Sequence, residues 1–130
     1  RKDSGVWLYP TGWADVGYSP AEVAMKEVEE ETGIIAEPLQ LLGVVDGMRM
    51  GFSRFGMYML LFHLRATGGE LQGHPLETGD VGWFGPDDIP TPTAGAQWWG
   101  DMAFAAIAGD VNPATFDAPR EHMWRGDHTN

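Results

Sequence analysis

The sequence contains no cysteine, so it can form neither a disulfide framework nor a thiolate metal site, and any bound metal must be held by oxygen or imidazole ligands. It has no apolar run approaching the roughly 20 residues that cross a bilayer, so no transmembrane helix and no membrane partner are expected. Basic residues are scarce: 8 Lys and Arg stand against 19 Asp and Glu, a formal net charge of −11. A chain that grips a nucleic-acid backbone shows the opposite balance, so no nucleic-acid partner is expected. What is present is apolar enough to fold. Hydrophobic residues make up 43% and aromatics 12% of 130 residues, the size of one domain with a single core. Arg1 to Gly5 shows no targeting pattern and reads as the turn after a strand, so an upstream segment is expected and the location is read as cytoplasmic.

Along the chain, Val6-Trp7-Leu8-Tyr9 reads as a short strand stopped by Pro10. Ser19-Pro20-Ala21-Glu22 is a strong helix start, with Ser as N-cap, Pro in the first turn and Glu placed for a capping box. That helix is predicted to run to about Thr32 and stop at Gly33. Leu39 to Val45 reads as a strand, although it does not alternate cleanly, and Met57 to Ala66 as a more continuously apolar one. Thr67-Gly68-Gly69 reads as a turn, Val81 to Phe84 as a short strand and Ala96 to Ala108 as a second helix. Residues 1–118 form one expected α/β domain, and 119–130 a polar tail.

On the first helix, Glu27 stands one turn before both Glu30 and Glu31, so three carboxylates share a stripe. Val23, Ala24 and Val28 supply the neighbouring apolar stripe. A glutamate-rich helix is also what a solvated face looks like. Hard oxygen ligands of this kind suit Mg²⁺ or Mn²⁺, which bind through a few carboxylates together with substrate phosphates. The carboxylates alone do not decide between the two.

Their frame is more specific. From Gly12 the chain runs through five residues to Tyr18, then seven residues to Lys26-Glu27-Val28-Glu29-Glu30-Glu31-Thr32-Gly33-Ile34. This resembles the Nudix box, in which Gly is followed by five residues, Glu, seven residues, Arg-Glu, an aliphatic, any residue, Glu-Glu, any residue, Gly and an aliphatic. Seven of the nine specified positions match: Gly12, Glu27, Val28, Glu30, Glu31, Gly33 and Ile34. Lys26 replaces the box Arg, and Tyr18 replaces the first box Glu. The entry Trp7-Leu8-Tyr9-Pro10-Thr11-Gly12-Trp13 is similar to that of the family as well.

The resemblance implies an α/β/α sandwich with a mixed, curved sheet over residues 1–118. It implies a Mg²⁺- or Mn²⁺-dependent pyrophosphohydrolase that cleaves a nucleoside diphosphate derivative. Carried over, Glu27, Glu30 and Glu31 are metal carboxylates, and the Gly12 carbonyl is a further ligand. The general base falls to Glu27 or Glu30, with Glu77 as a loop-borne alternative and Glu70 a lesser one. Tyr18 and Lys26 occupy positions that in the family brace the loop against the helix. Tyr18 cannot form the usual ion pair, but its hydroxyl has hydrogen-bonding capacity toward Lys26 or a carboxylate. The variant box is similar to that of ADP-ribose and CDP-choline pyrophosphatases. A non-catalytic nucleotide-binding module and a plain acidic interaction domain are the rival readings, and a homodimer stays open.

Phe52, Arg54, Phe55 and Tyr58 have the chemistry to stack on a base or meet a phosphate, with Arg54 the strongest; core packing is the competing reading for Phe55 and Tyr58. Trp98 and Trp99 read as core or interface packing, and His63 as a core histidine. His74, His122 and His128 share no zinc-site spacing.

Overall fold

Ser19, Pro20 and Gly33 bound the first helix as their chemistry dictates. In the computed structural model, which describes residues 1–94, 97–110 and 112–121, helix α1 spans Pro20–Thr32. The extended N-cap Ser19 accepts a hydrogen bond from the Glu22 amide at 3.2 Å, forming the serine half of the expected capping box. Gly33 ends the helix at φ 77°, left-handed, and donates its N–H to the Glu29 carbonyl at 2.8 Å. Val23 is the residue of α1 that is buried.

Strand β1 (Ile34–Asp46) starts directly at the cap and pairs antiparallel with β2 (Tyr58–Gly69). Helix α2 (Gln97–Ile107) follows, and a two-residue strand β3 (Thr115–Phe116) runs parallel to β1. The sheet order is β2-β1-β3, so the sheet is mixed. Helix α1 packs mainly on β1, and α2 touches β2. Val45 is the most enclosed described side chain at 2% exposure, with Val23, Ile34, Ala36 and Trp99 also buried.

Both long strands are longer than the sequence predicts. Register shifts fall between Pro38 and Gln40 and between Leu41 and Gly43, so Leu39 and Leu42 are extra residues on β1. Each insertion moves the following side chains to the other face, which is why this stretch does not alternate cleanly. Thr67-Gly68-Gly69 is not a turn; it is the end of β2. Gly69 has φ 80°, and a Cβ there would collide with the Gly33 carbonyl, so these glycines serve a close backbone approach.

Two predicted short strands are absent from the described residues. Trp7 makes only an isolated parallel bridge to Thr93, donating its N–H to the Pro92 carbonyl at 2.9 Å, between prolines that remove further ladder donors. Val81 to Phe84 has no strand partner, and Phe84 instead packs edge-on against Trp7 at 5.2 Å. Of the expected polar tail 119–130, residues 122–130, including His122 and His128, lie outside the described residues.

Candidate functional site

Helical spacing brings Glu27, Glu30 and Glu31 to one side of α1, and the chain entering the helix closes over them. Gly12 lies so close to Glu27 that a Cβ on it would collide with the Glu27 carboxylate. The preceding Thr11 donates its N–H to Glu31 Oε2 at 2.9 Å. The loop therefore reaches two of the three carboxylates through its backbone, which fixes their position without depending on side-chain chemistry in the loop.

Lys26 sits at the centre of a charged cluster. Its Nζ lies 3.5 Å from Glu27 Oε1, 3.6 Å from Glu30 Oε2 and 3.7 Å from Asp15 Oδ2. Burial lowers the Lys26 pKa, but Glu30, Glu27 and Asp15 together outweigh it and raise the net value. The ammonium also stands 5.7 Å from the centre of the Tyr18 ring. Tyr18 thus meets Lys26 through its ring face, while Asp15 supplies a carboxylate on the loop side. Sequence reasoning missed Asp15, although an acidic residue inside the five-residue spacer after Gly12 was there to be read.

Glu77 joins the group from the segment after β2. That segment is fastened to the end of α1: the Gln72 amide donates to the Thr32 carbonyl at 2.8 Å, and the Thr78 hydroxyl donates to the Glu31 carbonyl at 3.4 Å. The Lys2 amide donates to the Glu77 carbonyl at 3.0 Å. Burial pushes the Glu31 carboxyl up to about 7. The Thr11 N–H opposes this, while the charges of Glu27 and Glu77 push the same way and Arg1 pulls it back. Glu30 is half exposed, whereas the Glu27 side chain is 17% exposed.

Among the described residues, no three His, Cys, Asp or Glu side chains close around one point as a ready-made cage. Glu27 and Glu30 turn toward Lys26, and Glu31 toward Thr11. The donor set still suits a hard divalent cation. Mg²⁺ keeps several waters and needs only one or two carboxylates, and the crowding of Glu27 and Glu77 on half-buried Glu31 is the charge excess a cation would relieve.

The aromatic candidates separate. Phe52 lays one ring face on buried Trp99, centroids 5.1 Å apart and planes within 8°. Trp99 is therefore core, and the Trp98 side chain lies outside the described ones. Phe55 stacks on Trp13, the residue after Gly12. Arg54 is exposed in the loop between β1 and β2, and Tyr58 is exposed at the start of β2, paired with Asp46. His63 of β2 pairs with Gln40 of β1 and is only partly buried, so it is not the core histidine expected.

A NUDIX domain model matches residues 1–103. An NAD-capped RNA hydrolase, NudC, of Pseudomonas entomophila is 34% identical over 113 residues, which are 85% of this chain and 39% of that protein. The crystal structure of an ADP-ribose pyrophosphatase from Streptococcus suis is similar with a TM-score of 0.73 and 25% identity, over 90% of this chain and 86% of that one. The crystal structure of a UDP-X diphosphatase gives a TM-score of 0.70 and 27% identity, over 85% of this chain and 54% of that one. The chain spans 44% of the length of two further curated relatives. The likenesses to solved structures agree with the expected α/β/α sandwich around a mixed sheet.

Proposed function

The chain belongs to the Nudix family, and from that premise we propose that it hydrolyses phosphoric anhydride bonds as a Mg²⁺- or Mn²⁺-dependent pyrophosphohydrolase. Its substrate class is a nucleoside diphosphate derivative of the ADP-ribose, CDP-choline or nucleotide-sugar kind, cut to a nucleoside monophosphate and a phosphorylated moiety. The observation that carries this reading is the Thr11–Gly12 backbone held against Glu31 and Glu27, with the charge of Glu77 acting on the same half-buried Glu31. Names among the similar proteins support it, since an ADP-ribose pyrophosphatase, a UDP-X diphosphatase and an NAD-capped RNA hydrolase all act beside a nucleotide.

Glu27, Glu30 and Glu31, with the Gly12 carbonyl, would hold the cation. When bound, it would neutralise diphosphate oxygens and make a bound water more acidic. Lys26 Nζ stands between Glu27 and Glu30 and holds the two carboxylates, the candidate general bases, in place on α1. Glu77, whose charge acts on Glu31 from the segment after β2, is the alternative base. Tyr18, Lys26 and Asp15 brace the loop against α1. Arg54 and Tyr58 are exposed for substrate contact, whereas Phe52 has one ring face committed to Trp99.

The test is a panel of nucleoside diphosphate derivatives with Mg²⁺ and Mn²⁺, assayed for release of nucleoside monophosphate. Glu30→Gln and Glu31→Gln are each expected to abolish turnover; unchanged turnover in both overturns the mechanism. The engagement of Glu27 and Glu30 by Lys26, in place of a closed cage, favours one second reading, a nucleotide-binding regulatory module. That reading requires nucleotide binding by calorimetry with no hydrolysis even at high Mn²⁺.

A further inference from the structure

Trp13 and Phe55 come from different parts of the chain and meet beside the acidic site. Trp13 directly follows Gly12, whose backbone abuts Glu27, and Phe55 belongs to the loop between β1 and β2. Their rings stack with centroids 6.1 Å apart and planes 18° from parallel. Both are open to solvent, Trp13 at 68% and Phe55 at 57% exposure. The pair Phe52 and Trp99 in the same region shows what closed packing looks like here: 5.1 Å, 8° and a buried indole.

A 6.1 Å separation lies at the wide end of the roughly 4.5–7 Å range for aromatic pairs, so the two rings hold each other weakly. Neither side chain is locked by burial, and a small outward movement of both would open a slot for a flat ring. Two large exposed aromatic faces also leave apolar area in water that a stacked ligand would cover.

We propose that Trp13 and Phe55 form a stacking site for the base of a nucleotide whose phosphates lie over the Glu27–Glu31 face of α1. The placing of the phosphates rests on the function proposed above; the stacking site itself does not need catalysis. Stacking uses the π-face of a base and not its hydrogen-bonding edge, so the site accepts purines and pyrimidines alike. Specificity in this part of the molecule is for the presence of a base, not for its identity.

The experiment compares ligands that differ only in the base. AMP, CMP and ribose 5-phosphate are titrated into the whole chain by calorimetry, and binding is followed in parallel by quenching of indole fluorescence. The wild type is expected to bind AMP and CMP roughly ten- to hundredfold more tightly than ribose 5-phosphate, the scale of stacking one base on aromatic rings. Phe55→Ala and Trp13→Ala are expected to remove most of that difference, and Phe55→Trp to keep it, with thermal melts confirming that each variant is folded. Equal binding of all three ligands by the wild type, or a preference for AMP that survives both alanine variants, overturns the proposal. If the preference holds but no diphosphate is cleaved, the hydrolase reading fails and the stacking site stands; cleavage without the preference has the reverse meaning.

Discussion

Glu31 couples the protein's stability to pH in a direction opposite to that of an ordinary carboxylate. Its carboxyl titrates at about 7, against 4.5 for glutamate at large. Below 4.5 both the folded and the unfolded chain carry the proton. Between 4.5 and 7 the unfolded chain gives it up while the folded one keeps it, so stability falls as pH rises through this window and levels off above it. The gap would be worth about 3.4 kcal/mol for a group sealed from water. Glu31 is only half buried, and solvent screening reduces this to about 1–2 kcal/mol. For a domain of this size that is about 3–8 °C in melting temperature. Melts in EDTA from pH 5 to 8.5 should show this slope on comparing wild type with Glu31→Gln, which has no proton to lose. A divalent cation competes with the same proton, so Mg²⁺ should raise the melting temperature more at pH 8 than at pH 5.5. If Glu31→Gln keeps the wild-type slope, or Mg²⁺ stabilises equally at both pH values, the placing of Glu31 is wrong.

Gly12→Ala forces its Cβ into the Glu27 carboxylate and should cut turnover about 100-fold, the scale of misplacing a reacting group by an ångström, with melts close to wild type. Gly33→Ala meets both a left-handed φ and the Glu70 carbonyl, and should cost about 2–3 kcal/mol in urea unfolding; a loss under about 0.5 kcal/mol would refute the close approach. Val45→Ala, at the most enclosed site, should cost about 2 kcal/mol by the same measurement. Asp15→Asn and Lys26→Gln should each lower kcat several-fold, with the double variant little worse than the poorer single one; fully multiplicative losses would show that the two do not act together.

Helix α1 and its carboxylates were legible in the sequence because their determinants are local. Ser19, Pro20 and Gly33 each act within a turn of where they stand, and helical spacing alone puts Glu27 beside Glu30 and Glu31. The sheet was harder to read. The extra residues Leu39 and Leu42 break the period of β1, and Val81 to Phe84 has the composition of a strand without a partner to pair with. Partners distant in sequence were not visible at all. That Lys26 takes Asp15 as a carboxylate partner, that Phe52 chooses Trp99 and that Phe55 chooses Trp13 depend on how loops meet after the helix and sheet have formed.

The two ties to the last turn of α1, from the Gln72 amide and the Thr78 hydroxyl, bear on how the site comes apart. An opening that frays the helix end breaks the bonds to Thr32 and Glu31, and so releases the segment carrying Glu77 at the same time. The amides of Gly33 and Gln72 would then exchange with solvent through one shared opening, at a common free energy. The acidic residues of α1 and the acidic loop would be lost and regained together, as a single local folding unit.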